Sequence, residues 1–187
     1  MIKKIKEFEY FNPSTLSEAI SLLAQYKGQA KILAGGTDLL IQMKKDLTPK
    51  YVIDIKRIFE LNYIKYEEDE GLKIGALITH NSLINSTVVQ EKYNLLAEAS
   101  LAVGSLQTRN KGTVIGNSCN ASPSADTPPA LLALGARLKL ISAEGERIVK
   151  IKDFFASPFK NILKETEIVT EIQIPKLPLH SGGTYLH

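Results

Sequence analysis

Tryptophan is missing from this chain, cysteine occurs once and histidine three times in 187 residues. With Cys119 alone there is neither an internal disulfide nor a Cys-x-x-Cys pair to hold zinc or an iron–sulfur cluster, so no metal site of the chain's own is expected. His80 falls in a polar helix start, His180 and His187 in the tail, and none has a carboxylate or cysteine neighbour that would make it a ligand. No stretch reaches the roughly 18 to 20 uninterrupted apolar residues of a membrane span, and Met1-Ile2-Lys3-Lys4 runs into charged sequence without an apolar leader. A cytoplasmic location is the expectation. Long blocks of one charge sign are also missing. The 23 basic and 20 acidic residues are interspersed, and Lys3-Lys4-Lys6 and Glu67-Glu68-Asp69-Glu70 are too short to argue for nucleic acid or an acidic partner.

What is present is a globular composition, 44% hydrophobic and 23% charged, sufficient to bury a core in one medium domain or two small lobes. The spacing predicts a small α/β lobe over residues 1–60. Thr15-x-x-Glu18 has the capping-box spacing, Leu16, Ile20, Leu23 and Ala24 form one helical stripe, and Gly28 stands where a helix end takes a left-handed residue. Lys31-Ile32-Leu33-Ala34 and Tyr51 to Ile55 read as strands flanking a helix, a pattern that favours parallel pairing. Residues 61–176 predict a larger α+β lobe. It has a hairpin around Glu67 to Gly71, short helices from Thr79 and through Leu95 to Val103, and a helix from Asp126, read as its capping carboxylate, to Gly135. Antiparallel strands over Leu138–Leu140, Ile148–Ile151 and Ile168–Ile174 complete it, and residues 177–187 read as a tail.

Two glycine-bearing segments stand out, Ala34-Gly35-Gly36-Thr37-Asp38 and Gly112-Thr113-Val114-Ile115-Gly116-Asn117. Each follows apolar sequence, is rich in small polar residues, and suits a backbone that approaches a diphosphate closely. The first reads equally as a strand end, a two-glycine turn and a helix cap. It is not the G-x-G-x-x-G fingerprint, and only Asp54 stands, loosely, where a ribose-contacting acid would, so a Rossmann domain is disfavoured. The second continues through Ser118 to Asp126 as a polar run lacking aliphatic anchors, read as a loop suited to an extended polar ligand. Cys119 within it reads as a small buried residue or as a thiol near that ligand.

These segments, with Gly104-Ser105-x-Gln107-x-Arg109-Asn110, Asn120 to Leu132, Asp153-Phe154-Phe155 and Thr166 to Pro175, resemble the FAD-binding medium subunit of molybdenum hydroxylases, a family that includes xanthine dehydrogenase and carbon monoxide dehydrogenase flavoproteins. The likeness covers nearly the whole chain. It implies an α+β, two-lobed FAD-binding domain of the vanillyl-alcohol-oxidase (PCMH) type, with noncovalent FAD between the lobes. By the same resemblance Ile32, Leu33, Ala34, Gly35, Gly36, Thr37, Asp38 and Leu39 wrap the diphosphate, Thr113, Gly116 and Asn117 contact the diphosphate or flavin side, Asp126 binds a ribitol or ribose hydroxyl, and Leu163 lies near the isoalloxazine or adenine.

Implied partners are a molybdopterin-binding large subunit and a small subunit with iron–sulfur clusters, with NAD or another acceptor receiving electrons from FAD. No side chain here is then required as nucleophile or general base. Ile115 stands where the family usually has the first of two paired glycines; the expectation is a negative φ and a side chain turned to the core. The family's C-terminal domain starts near Ser181-Gly182-Gly183-Thr184-Tyr185, so that domain is expected to be lacking here. Two readings compete with the flavoprotein subunit: a free-standing flavin oxidoreductase, and a non-catalytic assembly module on the same fold that has lost flavin binding.

Overall fold

The structure is a computed structural model describing residues 5–186, so Lys3 and Lys4 of the basic cluster and His187 lie outside the described residues. The chain begins β1 (Glu9–Phe11), α1 (Leu16–Gln25), β2 (Ala30–Leu33), α2 (Leu39–Lys45) and β3 (Tyr51–Asp54), and its three strands form a parallel sheet ordered β1-β3-β2. Alternation of helix and strand produces this pairing, because a crossover helix returns the chain to the same end of the sheet. Thr15 caps α1 as its spacing predicts, its Oγ1 accepting from the Glu18 N–H at 3.2 Å. The Glu18 carboxylate reaches back one residue beyond the cap, to the Ser14 N–H at 3.1 Å.

The next hairpin, β4 (Ile64–Glu67) and β5 (Gly71–Gly75), turns through the acidic run. A helical layer follows: α3 (His80–Ile84), α4 (Thr87–Lys92), α5 (Asn94–Ala102), α6 (Leu106–Arg109), α7 (Val114–Asn120) and α8 (Thr127–Ala133). Then come β6 (Arg137–Ser142), β7 (Gly145–Lys150), the small pair β8 (Phe155–Ser157) and β9 (Lys160–Asn161), and β10 (Ile168–Ile174). The second sheet is antiparallel throughout and ordered β4-β5-β10-β6-β7, so the last strand in sequence sits in the middle. β10 is buried on both faces apart from a half-buried Gln173, which the period-two alternation of its sequence did not foretell. Arg147 on β7 is tied to Glu167, just before β10, by Nε to Oε1 at 2.7 Å and a second guanidinium bond to Oε2 at 2.8 Å.

Both sheets share one core. Ala19 and Leu23 of α1 and Ile53 of β3 belong to the same buried cluster as Leu72, Ile74, Leu138, Leu140, Ile172 and Ile174, and α1 packs on β6 as well as on β3. A smaller cluster of Leu33, Met43 and Val52 seats α2 on the first sheet.

Two local expectations need correction. Asn117 to Asn120 is the second half of α7 rather than a loop, because Thr113 caps the segment and Val114, Ile115 and Ser118 bury one face of it. Asp126 precedes α8 without capping it through its side chain; the carboxylate instead accepts from the Tyr185 hydroxyl at 3.0 Å. His80 stands at the start of α3, as expected, and is buried there at 1% exposure.

Candidate functional site

The two glycine segments meet. A Cβ on Gly35 would fall 2.1 Å from the Lys111 carbonyl oxygen and 2.9 Å from Gly112 Cα, an approach possible only for a residue without one. Gly112 in turn faces Thr37, whose Oγ1 lies 3.3 Å from where a Gly112 Cβ would stand. Gly36 has φ +75°, the left-handed conformation that turns β2 into α2, and packs against Leu33 and Leu40. Contacts within the protein therefore account for both glycines of the first turn.

Evidence of a ligand lies in what the turn leaves unused. Among the described residues, the N–H groups of Gly35, Gly36, Thr37 and Asp38 donate to no protein acceptor, although all four residues are only partly exposed. A run of unengaged amides in a half-buried turn, braced from behind by a second segment, is a concavity suited to an anion such as a diphosphate. Burial also raises the Asp38 carboxyl above its ordinary range, so the first turn disfavours negative charge of its own on that side chain.

The second segment has fewer free main-chain donors. The Gly116 N–H is committed to Thr113 Oγ1 at 3.0 Å and the Asn117 N–H to the Thr113 carbonyl at 2.9 Å, so neither main-chain donor is left for a ligand. Asn117 keeps its side-chain Nδ2, since its Oδ1 accepts from the Thr127 hydroxyl at 2.6 Å. Ile115 is 4% exposed and belongs to the main core, and its φ is not among the positive ones, so the isoleucine is accommodated as its chemistry predicts. Cys119 also packs on that core, and burial pushes its thiol up to about 12. Gln42 on α2 donates to Asn120 Oδ1 at 2.8 Å, a second bridge between the regions that follow the two turns.

Of the other predicted residues, Ile32, Leu33, Ala34 and Leu39 pack their side chains against the two hydrophobic clusters, Leu33 buried and the other three partly exposed. Leu163 is held one tether away. Its N–H donates to Asn161 Oδ1 at 3.0 Å, and Asn161 Nδ2 donates to the Cys119 carbonyl on α7 at 2.7 Å. Asp126 lies before α8, close enough to His80 for its charge to act on the ring.

Sequence reasoning missed two participants. The His80 N–H donates to the Gly112 carbonyl at 3.0 Å, and a short antiparallel bridge joins Thr79 to Thr113, so α3 and α7 start side by side. Tyr185 is the other: its N–H and the Thr184 hydroxyl bind Glu98 on α5 at 2.7 and 3.0 Å, laying the tail against the helical layer with the Tyr185 hydroxyl on Asp126. The Thr79 cap was readable, but the inward aim of the next side chain depends on α5 and α6, which local spacing does not encode.

Comparison with known proteins matches this geometry to a family. Residues 6–177 match the FAD binding domain in molybdopterin dehydrogenase. The chain is 41% identical over 186 residues to the nicotinate dehydrogenase FAD-subunit of Eubacterium barkeri, covering 97% of this chain and 62% of that protein. Over 172 residues it is 39% identical to the glyceraldehyde dehydrogenase medium chain of Sulfolobus acidocaldarius, covering 91% and 60%. A chain of the solved carbon monoxide dehydrogenase from Hydrogenophaga pseudoflava superposes with a TM-score of 0.91 at 37% identity, over 94% of this chain and 61% of that one. This chain thus spans about 60% of the length of the curated relatives it matches. With the matched segment running through both sheets and both glycine turns, the chain belongs to the family of FAD-binding domains found in molybdopterin dehydrogenases.

Proposed function

We propose that this chain is the flavin-holding portion of an electron-transfer subunit in a molybdenum-containing hydroxylase or dehydrogenase. The observation that carries the reading is the row of unengaged amides from Gly35 to Asp38, backed by Lys111 and Gly112. When bound, noncovalent FAD supplies the redox chemistry, taking up electrons and passing them on. The chain's own work is binding and orientation. The amides of Gly35, Gly36, Thr37 and Asp38 neutralise a diphosphate, the Thr37 hydroxyl adds a donor beside Gly112, and Asn117 Nδ2 and Asp126 offer polar contacts farther along. Ile32, Leu33, Ala34 and Leu39 hold the turn in place from the core, Thr113 and Gly116 fix the start of α7, and Leu163 supplies apolar surface. No proton transfer by a side chain is required.

The relatives are described as a medium chain and an FAD-subunit of dehydrogenases, which supports a place in a multi-subunit enzyme. In this reading a small subunit delivers electrons from iron–sulfur clusters, a large molybdopterin-binding subunit oxidises the organic substrate, and NAD or another carrier accepts the electrons. The assembly is cytoplasmic and binds no nucleic acid. Among the described residues no helix is long and apolar enough to cross a membrane.

Purification without denaturation followed by a visible spectrum and titration with FAD tests this. One equivalent of FAD per chain with a flavin spectrum is the expected result. A colourless protein that takes up no added FAD would instead leave an assembly module on the same fold.

A further inference from the structure

His80 is the buried titratable group that the reading above does not use. Among the described residues its Nδ1 has no hydrogen-bond partner, and Arg109 Nε nearby is likewise buried and unpartnered. The ring lies at the seam of the two turns: His80 Cδ2 is 3.4 Å, and Thr37 Oγ1 3.3 Å, from the point where a Gly112 Cβ would stand. Ring edge and hydroxyl thus both border the side of Gly112 that carries no side chain, with the unengaged amides of the first turn next in sequence to Thr37.

We propose that His80 is a positioning residue of the cofactor site, fixing the Gly112 turn against Thr37 and taking up a proton as the diphosphate's negative charge settles on the Gly35–Asp38 amides. The inference rests on the FAD reading. The groups whose charges act on the ring are Asp126, before α8, which favours the imidazolium, and Arg109 on α6, which opposes it; burial outweighs both and holds the imidazole at about 4, hence neutral at pH 7. Ser100 Oγ on α5 is a further buried polar atom without a hydrogen-bond partner among the described residues. A diphosphate on the Gly35–Asp38 amides would add negative charge to the ring's surroundings, which raises the ring's pKa. By linkage, affinity for FAD must then rise as pH falls toward the ring's value without FAD, roughly tenfold for each unit of that rise.

The test is FAD titration of the full chain between pH 7.5 and pH 5, with calorimetry at pH 5.5 in two buffers of different ionisation enthalpy to count protons. The parent should bind more tightly at the lower pH and take up a fraction of a proton. His80→Gln should bind FAD with a flatter profile and lose that uptake, while any contribution from Asp38 or from the flavin itself persists in both. NMR titration of the histidine C2–H signals with and without FAD reads the same shift without a variant, should His80→Gln fail to fold. Equal pH profiles and proton counts in parent and variant, or a His80 titration unmoved by FAD, overturn this inference alone. A parent chain that takes up no FAD at any pH overturns the functional reading with it.

Discussion

At the scale of single residues the site depends on one missing methyl group. Gly35 lies so close to the Lys111 carbonyl that Gly35→Ala must push the two turns apart. The expected cost is about 1–3 kcal/mol of stability, as for other overpacked positions, together with weaker FAD binding. Urea denaturation and FAD titration of the variant check both, and an unchanged midpoint would contradict the close approach. Thr113 offers a milder probe. Its hydroxyl caps α7 through the Gly116 N–H, so Thr113→Val should lose about 1 kcal/mol while Thr113→Ser retains most of it. If the serine variant is as unstable as the valine, the cap is not what holds the helix start.

At the scale of elements, the long connection into β10 is fastened by the Arg147–Glu167 pair, with the Lys164 N–H adding a bond to Glu167 Oε2 at 2.8 Å. The Arg147 hydrogen bonds hold the Glu167 carboxyl below its ordinary range against the opposing effect of burial. A depressed carboxyl contributes stability that is present above the unfolded value, about 4.3, and is lost as pH falls through the lower folded value. Glu167→Gln should therefore cost about 1–2 kcal/mol at pH 7, limited by solvent at the partly exposed Arg147, and the gap to the parent should close in melts below pH 4. Features of this local kind were legible in the sequence. Thr15, Thr79, Gly28 and the acidic hairpin declared their helix starts, helix end and turn, because caps and turns are set by neighbours along the chain. The polar stretch from Asn117 to Asn120 was misread, since its helix is stabilised by what Val114, Ile115 and Ser118 bury rather than by propensity. In the site, the glycine turns were visible but not that Gly116 spends its amide internally, nor that His80 turns inward, both being consequences of packing between distant segments.

At the scale of the whole molecule, a ligand held between the turn after β2 and the start of α7 should report on the fold as a unit, because α1 joins the two sheets in one core. FAD at about a hundred times its dissociation constant should add about 2.7 kcal/mol, which raises the melting temperature of a domain this size by roughly 5–10 °C. Differential scanning measurements with and without FAD check it, and a single shifted transition is expected rather than one half melting early. The central place of β10 has a further consequence during synthesis on the ribosome. Until Ile168 to Ile174 emerges, β5 and β6 each present an unpaired edge, so the nascent chain exposes strand edges open to non-native pairing until β10 slides in between them.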